Sequence, residues 1–416
     1  MSIQTRDEAA AADAADPLAA VRAKFALPAG LIYLDGNSLG ALPAATPGAV
    51  ADAVTRQWGA DLITSWGPTG GSREGQSEQE QVGSQGWWAL PALVGDRIGA
   101  LIGAAAGQVM CGDSTSVQLF QLMVAAARLR PQRGTLVIDD ANFPTDTYIA
   151  ESVARLLGLR LLRVAPGDFV PDGDTAVVAY SVVDYRSGEL FDTAAITAAA
   201  HQAGAVVLWD LCHAAGALEI GLDELGADLA VGCSYKYLNG GPGAPAWAYV
   251  AERHQSDIDL PITGWHGHRD PFSLAPSFAP APGIERLRIG TPPVLSMQAL
   301  ASALDVWEGV SLTEVRRKSL AMTDLVIDYA DRELAGFGVE VMTPREHHRR
   351  GSQVALRIPD ALRVMQELID RGVMGDFRAP DLLRLGFTPL TLSYTDVWDA
   401  MAILRQLLQK EGDSPV

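Results

Sequence analysis

Short segments made almost entirely of apolar residues recur through the middle of this chain, and a stretch with helical periodicity separates each one from the next. Strands that are apolar on both faces are typical of parallel sheets, which helices cover on both sides. The pattern therefore predicts an α/β fold whose large domain has a mainly parallel sheet sandwiched by helices. The expected strands are 135–139, 176–181, 205–210, 229–234 and 246–250, with helices at 90–104, 117–129 and 194–203.

The two ends of the chain follow different patterns. After a frayed lead we expect a short helix at 17–25, a strand at 31–35 and a helix at 47–62. The C-terminal part predicts a long helix from Leu312, strands at 338–342 and 353–358, and helices at 361–371 and 396–408. A chain of 416 residues is long enough for two domains. We expect an N-terminal segment that packs with the small domain (1–45), a large domain (46–311) and a smaller α+β C-terminal domain (312–416).

Charge and composition exclude several classes of protein. The net charge of −18 and a pI of about 4.7 disfavour nucleic acid as a partner, because phosphate backbones are repelled. No apolar run is long and uncharged enough to span a membrane, and residues 1–17 lack the pattern of a signal peptide. The three cysteines have no zinc-ligand spacing, so we expect no metal site and reduced thiols in a cytoplasmic protein.

Charged and polar side chains follow three of the predicted strands, at the edge where ligands bind to α/β sheets. Asp210 ends one strand and His213 follows it, Lys236 comes after the next strand, and Asp146 comes after an earlier one. Pyridoxal 5′-phosphate (PLP) needs a carboxylate against its ring nitrogen and a lysine for its aldehyde. Asp210 and Lys236 are one helical crossover apart, which would put them on neighbouring strands. Together they favour a PLP site in the large domain.

Two further features fit a phosphorylated cofactor. A glycine-rich run follows Lys236, and a helix that begins near 114–116 would present N–H groups and hydroxyls to a phosphate. Each signal alone has an ordinary structural explanation: Asp210 as a turn or cap residue, Lys236 as a solvated loop residue, His213 as a structural histidine and 114–116 as a helix cap. Their joint order and spacing favour the cofactor, with Phe143 placed to stack on its ring.

Eight segments of the chain carry a resemblance to a known family. They are 33–40, 113–117, 142–146, 209–216, 232–243, 264–268, 290–293 and 376–381. With them the chain resembles kynureninases, which are aspartate-aminotransferase-like (fold type I) PLP enzymes. The aspartate, histidine and lysine are shared across much of that superfamily. The runs at 234–243 and 264–268 are far more specific to kynureninases.

The resemblance implies roles for particular side chains. Lys236 would hold PLP as a Schiff base, Asp210 would pair with the ring nitrogen, and Tyr235 would act as acid and base. The implied cofactor-binding set is Thr115, Ser116, Phe143, Pro144, Thr145, Asp146, Ser181, Asp210, His213, Tyr235, Lys236, Trp265 and Thr291. The implied substrate-binding set is Asn37, Ser38, Trp66 and Arg384, the last as a two-pronged clamp for the α-carboxylate. Trp265 and Thr291 resemble residues that reach the site from a neighbouring subunit, which implies a homodimer.

The implied reaction is hydrolysis of the Cβ–Cγ bond of L-kynurenine, or of a ring-substituted kynurenine, to an anthranilate and L-alanine. Two alternatives stay open at this point. A cysteine desulfurase or selenocysteine lyase would need a reactive cysteine late in the chain, but the last cysteine is Cys233. A non-catalytic PLP-binding protein is disfavoured by the intact Lys236, Tyr235 and Arg384.

One segment departs from the resemblance. Polar residues at 67–86 separate Trp66 from Trp87, where the family has only a few residues. We expect a surface loop there, rooted near the pocket for the substrate's aromatic ring.

Overall fold

The fold was analysed in a computed structural model that describes residues 3–67 and 86–412. The expected loop at 67–86 falls almost wholly outside the described residues. In chain order, the helices are α1 Arg6–Ala14, α2 Thr46–Asp52, α3 Gly86–Ile102, α4 Thr115–Arg128, α5 Pro144–Leu157, α6 Thr193–Gln202, α7 Leu222–Leu225, α8 Glu252–Gln255, α9 Val294–Leu304, α10 Leu312–Tyr329, α11 Ala361–Asp370 and α12 Tyr394–Gly412.

The strands follow the same chain order. They are β1 Ile32–Tyr33, β2 Val109–Cys111, β3 Thr135–Ile138, β4 Arg160–Arg163, β5 Thr175–Ser181, β6 Val206–Asp210, β7 Leu229–Gly232, β8 Trp247–Val250, β9 Glu340–Val341, β10 Gln353–Arg357, β11 Val373–Met374, β12 Asp376–Arg378 and β13 Leu382–Gly386.

A central sheet dominates the large domain. Within the described residues it has seven strands in the order β2-β8-β7-β6-β5-β3-β4. The five strands β3 to β7 pair in parallel, whereas β8 and β2 run antiparallel at one edge. The inner strands β6 and β7 are buried along their whole length, because apolar clusters cover both faces of the sheet. This confirms the predicted α/β fold with a mainly parallel sheet.

A second, smaller sheet belongs to the C-terminal part of the chain. It is antiparallel, with the strand order β12-β13-β10-β9, and α10, α11 and α12 contribute to the apolar cluster beside it. The short strand β1 from the N-terminal segment pairs in parallel with β11. The smaller C-terminal α+β domain is therefore confirmed, and the N-terminal segment contacts it.

Several predictions near the N-terminus were wrong in detail: the expected helix at 17–25 is a 3-10 helix, Ala19–Lys24, and the expected strand at 31–35 is shortened to β1. The expected frayed lead contains α1, which Thr5 and Glu8 cap reciprocally and which packs on α12 with Ala9 buried. The expected helix at 47–62 breaks after α2 into a π-helical turn, Ala53–Trp58, and a 3-10 turn, Leu62–Trp66. In α1, the reciprocal cap stabilises a helix that the polar composition of the segment does not predict.

The sequence analysis missed five of the described strands: the edge strands β2 and β4 of the central sheet, and β11, β12 and β13 in the C-terminal part. The outer strand β4 carries arginines at both ends and is largely exposed, so it lacks the apolar run that identifies a buried strand. The edge strand β2 has only three residues and follows directly on a helix and a turn. Short or exposed strands give little periodicity to detect.

No helix among the described residues is long and apolar enough to cross a membrane.

A buried ion pair joins the N-terminal segment to α10. Lys318 Nζ lies 2.7 Å from Asp16 Oδ2 and donates to the Pro389 carbonyl oxygen at 2.7 Å. Both charged side chains are almost fully buried, at 2% and 3% exposure. Removing one partner leaves a buried charge without compensation, which costs about 3–5 kcal/mol.

We therefore predict that Lys318→Ala lowers the free energy of unfolding by about 3–5 kcal/mol in urea titrations. The neighbouring variant Arg317→Ala is the control. Arg317 pairs with Glu314 at the surface, where both side chains are more than a third exposed, and exposed pairs contribute less than about 1 kcal/mol. Equal stability losses in the two variants would contradict the importance of the buried pair.

Candidate active site

A cavity of about 650 Å³ lies at the carboxyl ends of the parallel strands, where α/β sheets bind ligands. Its volume is in the range of small-molecule sites. Eleven residues expected at the cofactor line it: Thr115, Ser116, Phe143, Thr145, Asp146, Ser181, Asp210, His213, Tyr235, Lys236 and Thr291. The structure therefore brings together side chains from segments widely separated in sequence.

Lys236 is held at the cavity by a tight turn after β7. The Asn239 N–H donates to the Lys236 carbonyl oxygen at 2.9 Å, and Asn239 itself has a positive φ of 58°. From the N-terminal segment, the Gly40 N–H donates to the Tyr235 carbonyl oxygen at 2.8 Å. A Cβ on Gly40 would lie 2.2 Å from the Lys236 carbonyl oxygen, so only glycine permits this approach.

Two carboxyl groups face each other inside the cavity. Asp210 ends β6 and accepts from the Cys212 N–H at 2.7 Å, while Asp146 lies in the first turn of α5 and accepts from Asn142 Nδ2 at 3.2 Å. Burial, together with the nearby Asp210 carboxylate, raises the pKa of Asp146 well above its usual range. This favours a neutral, protonated Asp146 beside the carboxylate of Asp210.

His213 lies beside the lysine in the same cavity. Its Nε2 atom is 3.0 Å from Lys236 Nζ. Burial and the positive charge of Lys236 lower the pKa of His213 well below its usual range, so its ring is neutral. A neutral imidazole nitrogen can accept a hydrogen bond from an ammonium group at that distance.

The N-terminus of a helix also lines the cavity and favours an anion there. The 14-residue helix α4 begins here, with Ser114 as its N-cap and the hydroxyl-bearing Thr115 and Ser116 in its first turn. Its free N–H groups and dipole favour a phosphate. Thr291 lines the same cavity within its own chain.

These groups fit PLP. The N-terminus of α4, the buried carboxylate of Asp210 and Lys236 on the neighbouring strand end all line the same cavity. Asp210 would stabilise a protonated ring nitrogen. The buried Asp146 is protonated, so it adds no second negative charge beside that nitrogen. The helix end would hold the phosphate, and Lys236 the aldehyde carbon.

Tyr235 and Phe143 line the cavity from different elements. Burial and the neighbouring Cys233 raise the pKa of Tyr235, so its phenol keeps its proton. Phe143 is half-exposed and packs edge-on against Tyr185 with ring centroids 5.3 Å apart. Tyr185, which the sequence analysis missed, also lines the cavity.

Arg384 lies one layer behind the cavity wall and is almost fully buried. Its Nε donates to Asp376 Oδ1 at 2.9 Å, and Nη2 donates to Asp376 Oδ2 and, at 2.9 Å, to Ser38 Oγ. Nη1 donates to the carbonyl oxygen of the cavity residue Tyr185. The two-pronged face of the guanidinium, expected to grip a substrate carboxylate, thus grips Asp376, and one Nη1 hydrogen is left for another acceptor.

Six of the expected site residues lie outside the cavity lining, and two of them are Arg384 and its partner Ser38. Pro144 begins α5 beside it. Asn37 is fully buried, with its side-chain amide 3.1 Å from that of Gln353. Trp66 and Trp265 belong to an aromatic cluster with Trp87, Trp88, His266 and Phe272.

Three other residues at the site were not identified as site residues from the sequence. Asn142 orients Asp146 and accepts from the Ser181 hydroxyl at 2.8 Å. Cys212 lines the cavity two residues after Asp210, and Asp376 holds Arg384. All lie in segments that carried the family resemblance, which was the available signal for them.

Comparison with known proteins shows which family this chain is similar to. The family model described as the kynureninase C-terminal domain matches residues 315–404. The kynureninase of Deinococcus radiodurans is 48% identical over 404 residues, covering 96% of this chain and 95% of that protein. The kynureninase of Burkholderia pseudomallei strain 1106a is 45% identical over 420 residues, covering 99% of this chain and 97% of that protein.

Solved structures show the fold. A cysteine desulfurase from Thermococcus onnurineus has a TM-score of 0.75 at 16% identity, covering 99% of this chain and all of that one. A C-DES variant with glycine covalently linked to its PLP cofactor has a TM-score of 0.73 at 17% identity, covering 92% and 98%. These likenesses extend to architecture alone, whereas the curated relatives share nearly half of their residues over almost the full length. The chain therefore belongs to the kynureninase family of fold type I PLP enzymes.

Proposed function

We propose that this enzyme uses PLP to hydrolyse the Cβ–Cγ bond of L-kynurenine, or of a ring-substituted kynurenine, releasing an anthranilate and L-alanine. The observation that carries the proposal is the group formed by Lys236, His213 and the Asp146–Asp210 pair at one end of the sheet. Membership of the kynureninase family selects this reaction among those that PLP supports.

When bound, PLP withdraws electrons from the substrate's α-carbon and so permits bonds at the neighbouring carbon to break. The side chains supply the proton transfers around it. With substrate bound, the Nζ amine of Lys236 would be the base that takes the proton from the substrate's α-carbon. His213 Nε2, 3.0 Å from Nζ, can accept a hydrogen bond from this amine and so orient it.

Tyr235 is the candidate acid and base for the rest of the reaction. Water must add to the γ-carbonyl carbon, and Cβ must gain a proton after the bond breaks. Tyr235 lines the cavity beside Lys236 and keeps its phenolic proton because burial and Cys233 raise its pKa. It can therefore donate a proton and take it back within one turnover.

The desulfurase alternative lacks its nucleophile. Among the three cysteines, Cys111 and Cys233 are buried and Cys212 lies in the cavity floor next to Asp210. The structural likeness to desulfurases reflects the shared fold and carries no activity with it.

We also propose that the enzyme is a homodimer. Large apolar side chains remain exposed at and near the aromatic cluster: Trp265 is 45% exposed, Phe272 73% and Leu274 81%. Exposed apolar patches of this kind mark protein interfaces. A second copy would cover them and bring Trp265 close to its partner's site, whereas Thr291 already lines the cavity of its own chain. The free cysteines support placement in the reducing cytoplasm.

The direct test is an assay of the purified enzyme with L-kynurenine and a panel of ring-substituted kynurenines. We expect anthranilate, or its substituted analogue, and L-alanine in equal amounts for at least one of them. Alanine release from cysteine in place of every kynurenine would support the desulfurase alternative and refute the proposal.

The two carboxyls of the pair should respond differently to amide substitution. We predict that Asp210→Asn lowers kcat by about 10- to 100-fold and weakens PLP retention, because it removes a charge-assisted hydrogen bond of about 1.5–3 kcal/mol. Asp146→Asn should retain PLP far better, since an amide resembles a protonated carboxyl. Cofactor absorbance during dialysis measures retention, and the reverse order would contradict the assigned protonation states.

Arg384 should determine affinity for the substrate carboxylate. We predict that Arg384→Lys raises KM by about 10- to 100-fold, the equivalent of about 1–3 kcal/mol for a charge-assisted bond. Arg378→Lys is the matched control, because Arg378 pairs with the same Asp376 at 2.8 Å but is a third exposed. A decarboxylated kynurenine should bind the wild type and Arg384→Lys equally. Similar KM values for both variants would refute the role.

A further inference from the structure

Two of the three cysteines contact each other beneath the cavity. Cys212 follows β6 and Cys233 follows β7, two residues beyond the paired residues Asp210 and Val231. The Cys233 N–H donates to Cys212 Sγ at 3.3 Å, and Cys233 Sγ lies 3.8 Å from the Cys212 carbonyl oxygen. Neighbouring strands lie about 4.8 Å apart, within the range of about 4.4–6.8 Å that a disulfide spans between Cα atoms.

The pair connects to both anchors of the cofactor. The Cys212 N–H holds the Asp210 carboxylate at 2.7 Å. Cys233 comes three residues before Lys236 on the same turn. Cys212 lines the cavity, whereas Cys233 is buried behind it. A small molecule can therefore reach Cys212 through the space that PLP would fill.

The surroundings make this pair more reactive than an ordinary buried thiol. Burial opposes ionisation of Cys233, but hydrogen bonding from Cys212 and the charge of Lys236 outweigh it and lower its pKa. The Cys212 thiol keeps its proton, because its contact with Cys233 and its burial raise its pKa. Thiolate character is what makes a cysteine susceptible to oxidation.

We propose that Cys212 and Cys233 are a modification site, a dithiol that a peroxide oxidises to a disulfide when PLP is absent and that bound PLP shields. The proposal rests on the proposed function only in placing PLP in this cavity. One sulfur attacks a peroxide oxygen and breaks the O–O bond, giving a sulfenic acid and water. The second sulfur then displaces water from the sulfenic acid. In total, two thiols and hydrogen peroxide give one disulfide and two waters.

Oxidation and cofactor binding must then oppose each other. Shielding by PLP slows oxidation because it blocks access to the dithiol. If the disulfide weakens PLP binding by some factor, thermodynamic reciprocity requires that bound PLP disfavour the disulfide at equilibrium by the same factor. The disulfide would weaken PLP binding directly, because closing it pulls on the backbone next to Asp210 and on the turn that carries Lys236. An enzyme that lost PLP under oxidising conditions would stay unloaded until it was reduced.

The test uses the full-length enzyme with saturating PLP and after PLP removal. Both samples are treated with hydrogen peroxide, alkylated, digested and mapped by mass spectrometry. We expect a peptide crosslinked between Cys212 and Cys233, formed at least about tenfold faster without PLP. Titration of the oxidised chain, followed by cofactor absorbance, should give a Kd for PLP at least about tenfold higher, and dithiothreitol should restore it.

Variants separate this site from general oxidation. Cys233→Ser should abolish the effect of peroxide on PLP binding, while Cys111→Ser should behave as wild type because Cys111 is buried on β2. Oxidation of Cys212 without a crosslink, equal rates with and without PLP, or an unchanged Kd after crosslinking would each overturn the proposal. None of these measurements uses kynurenine, so they fail or succeed independently of the proposed reaction.

Discussion

The burial of charged groups at one end of the parallel sheet is the constraint on which the site depends. Two carboxyls and a lysine lie within a cavity floor made of apolar strands, and an unpaired charge there would be costly. Some of these groups are therefore neutral, and others are paired. Asp146 keeps its proton, His213 stays neutral beside Lys236, and the cofactor ring can balance the carboxylate of Asp210. The same buried residues thus determine both the protonation pattern and the fit to PLP.

The same logic extends to Arg384. A guanidinium buried at 1% exposure needs a counter-ion, and Asp376 from the neighbouring strand provides it. The substrate carboxylate would therefore meet a guanidinium that is already oriented and partly neutralised. A preorganised guanidinium fixes the position of the substrate carboxylate more than it increases the electrostatic attraction for it. It also explains why the N-terminal segment matters, since Ser38 contributes to the same network.

The sequence was sufficient to predict the α/β fold and most of the cavity lining. The inner strands of the sheet were predictable within one or two residues because burial on both faces forces an apolar run, and their ends located Asp210 and Lys236. The exposed strand β4 and the capped helix α1 lacked that signal. The pairing of Asp376 with Arg384 and of Cys212 with Cys233 depends on strand register, which periodicity does not encode. The extent of each domain and the role of each side chain remain predictions.

The central claim is that Lys236 anchors the cofactor at the carboxyl edge of the sheet. It is tested most directly by reducing the PLP-loaded enzyme with borohydride, which converts the bond between the cofactor's aldehyde carbon and a lysine Nζ into a stable amine. Digestion and mass spectrometry then locate the modified lysine. The account predicts a pyridoxyl group on the peptide that contains Lys236. A pyridoxyl group on another lysine, or no stable adduct in an enzyme that still cleaves kynurenine, would contradict it.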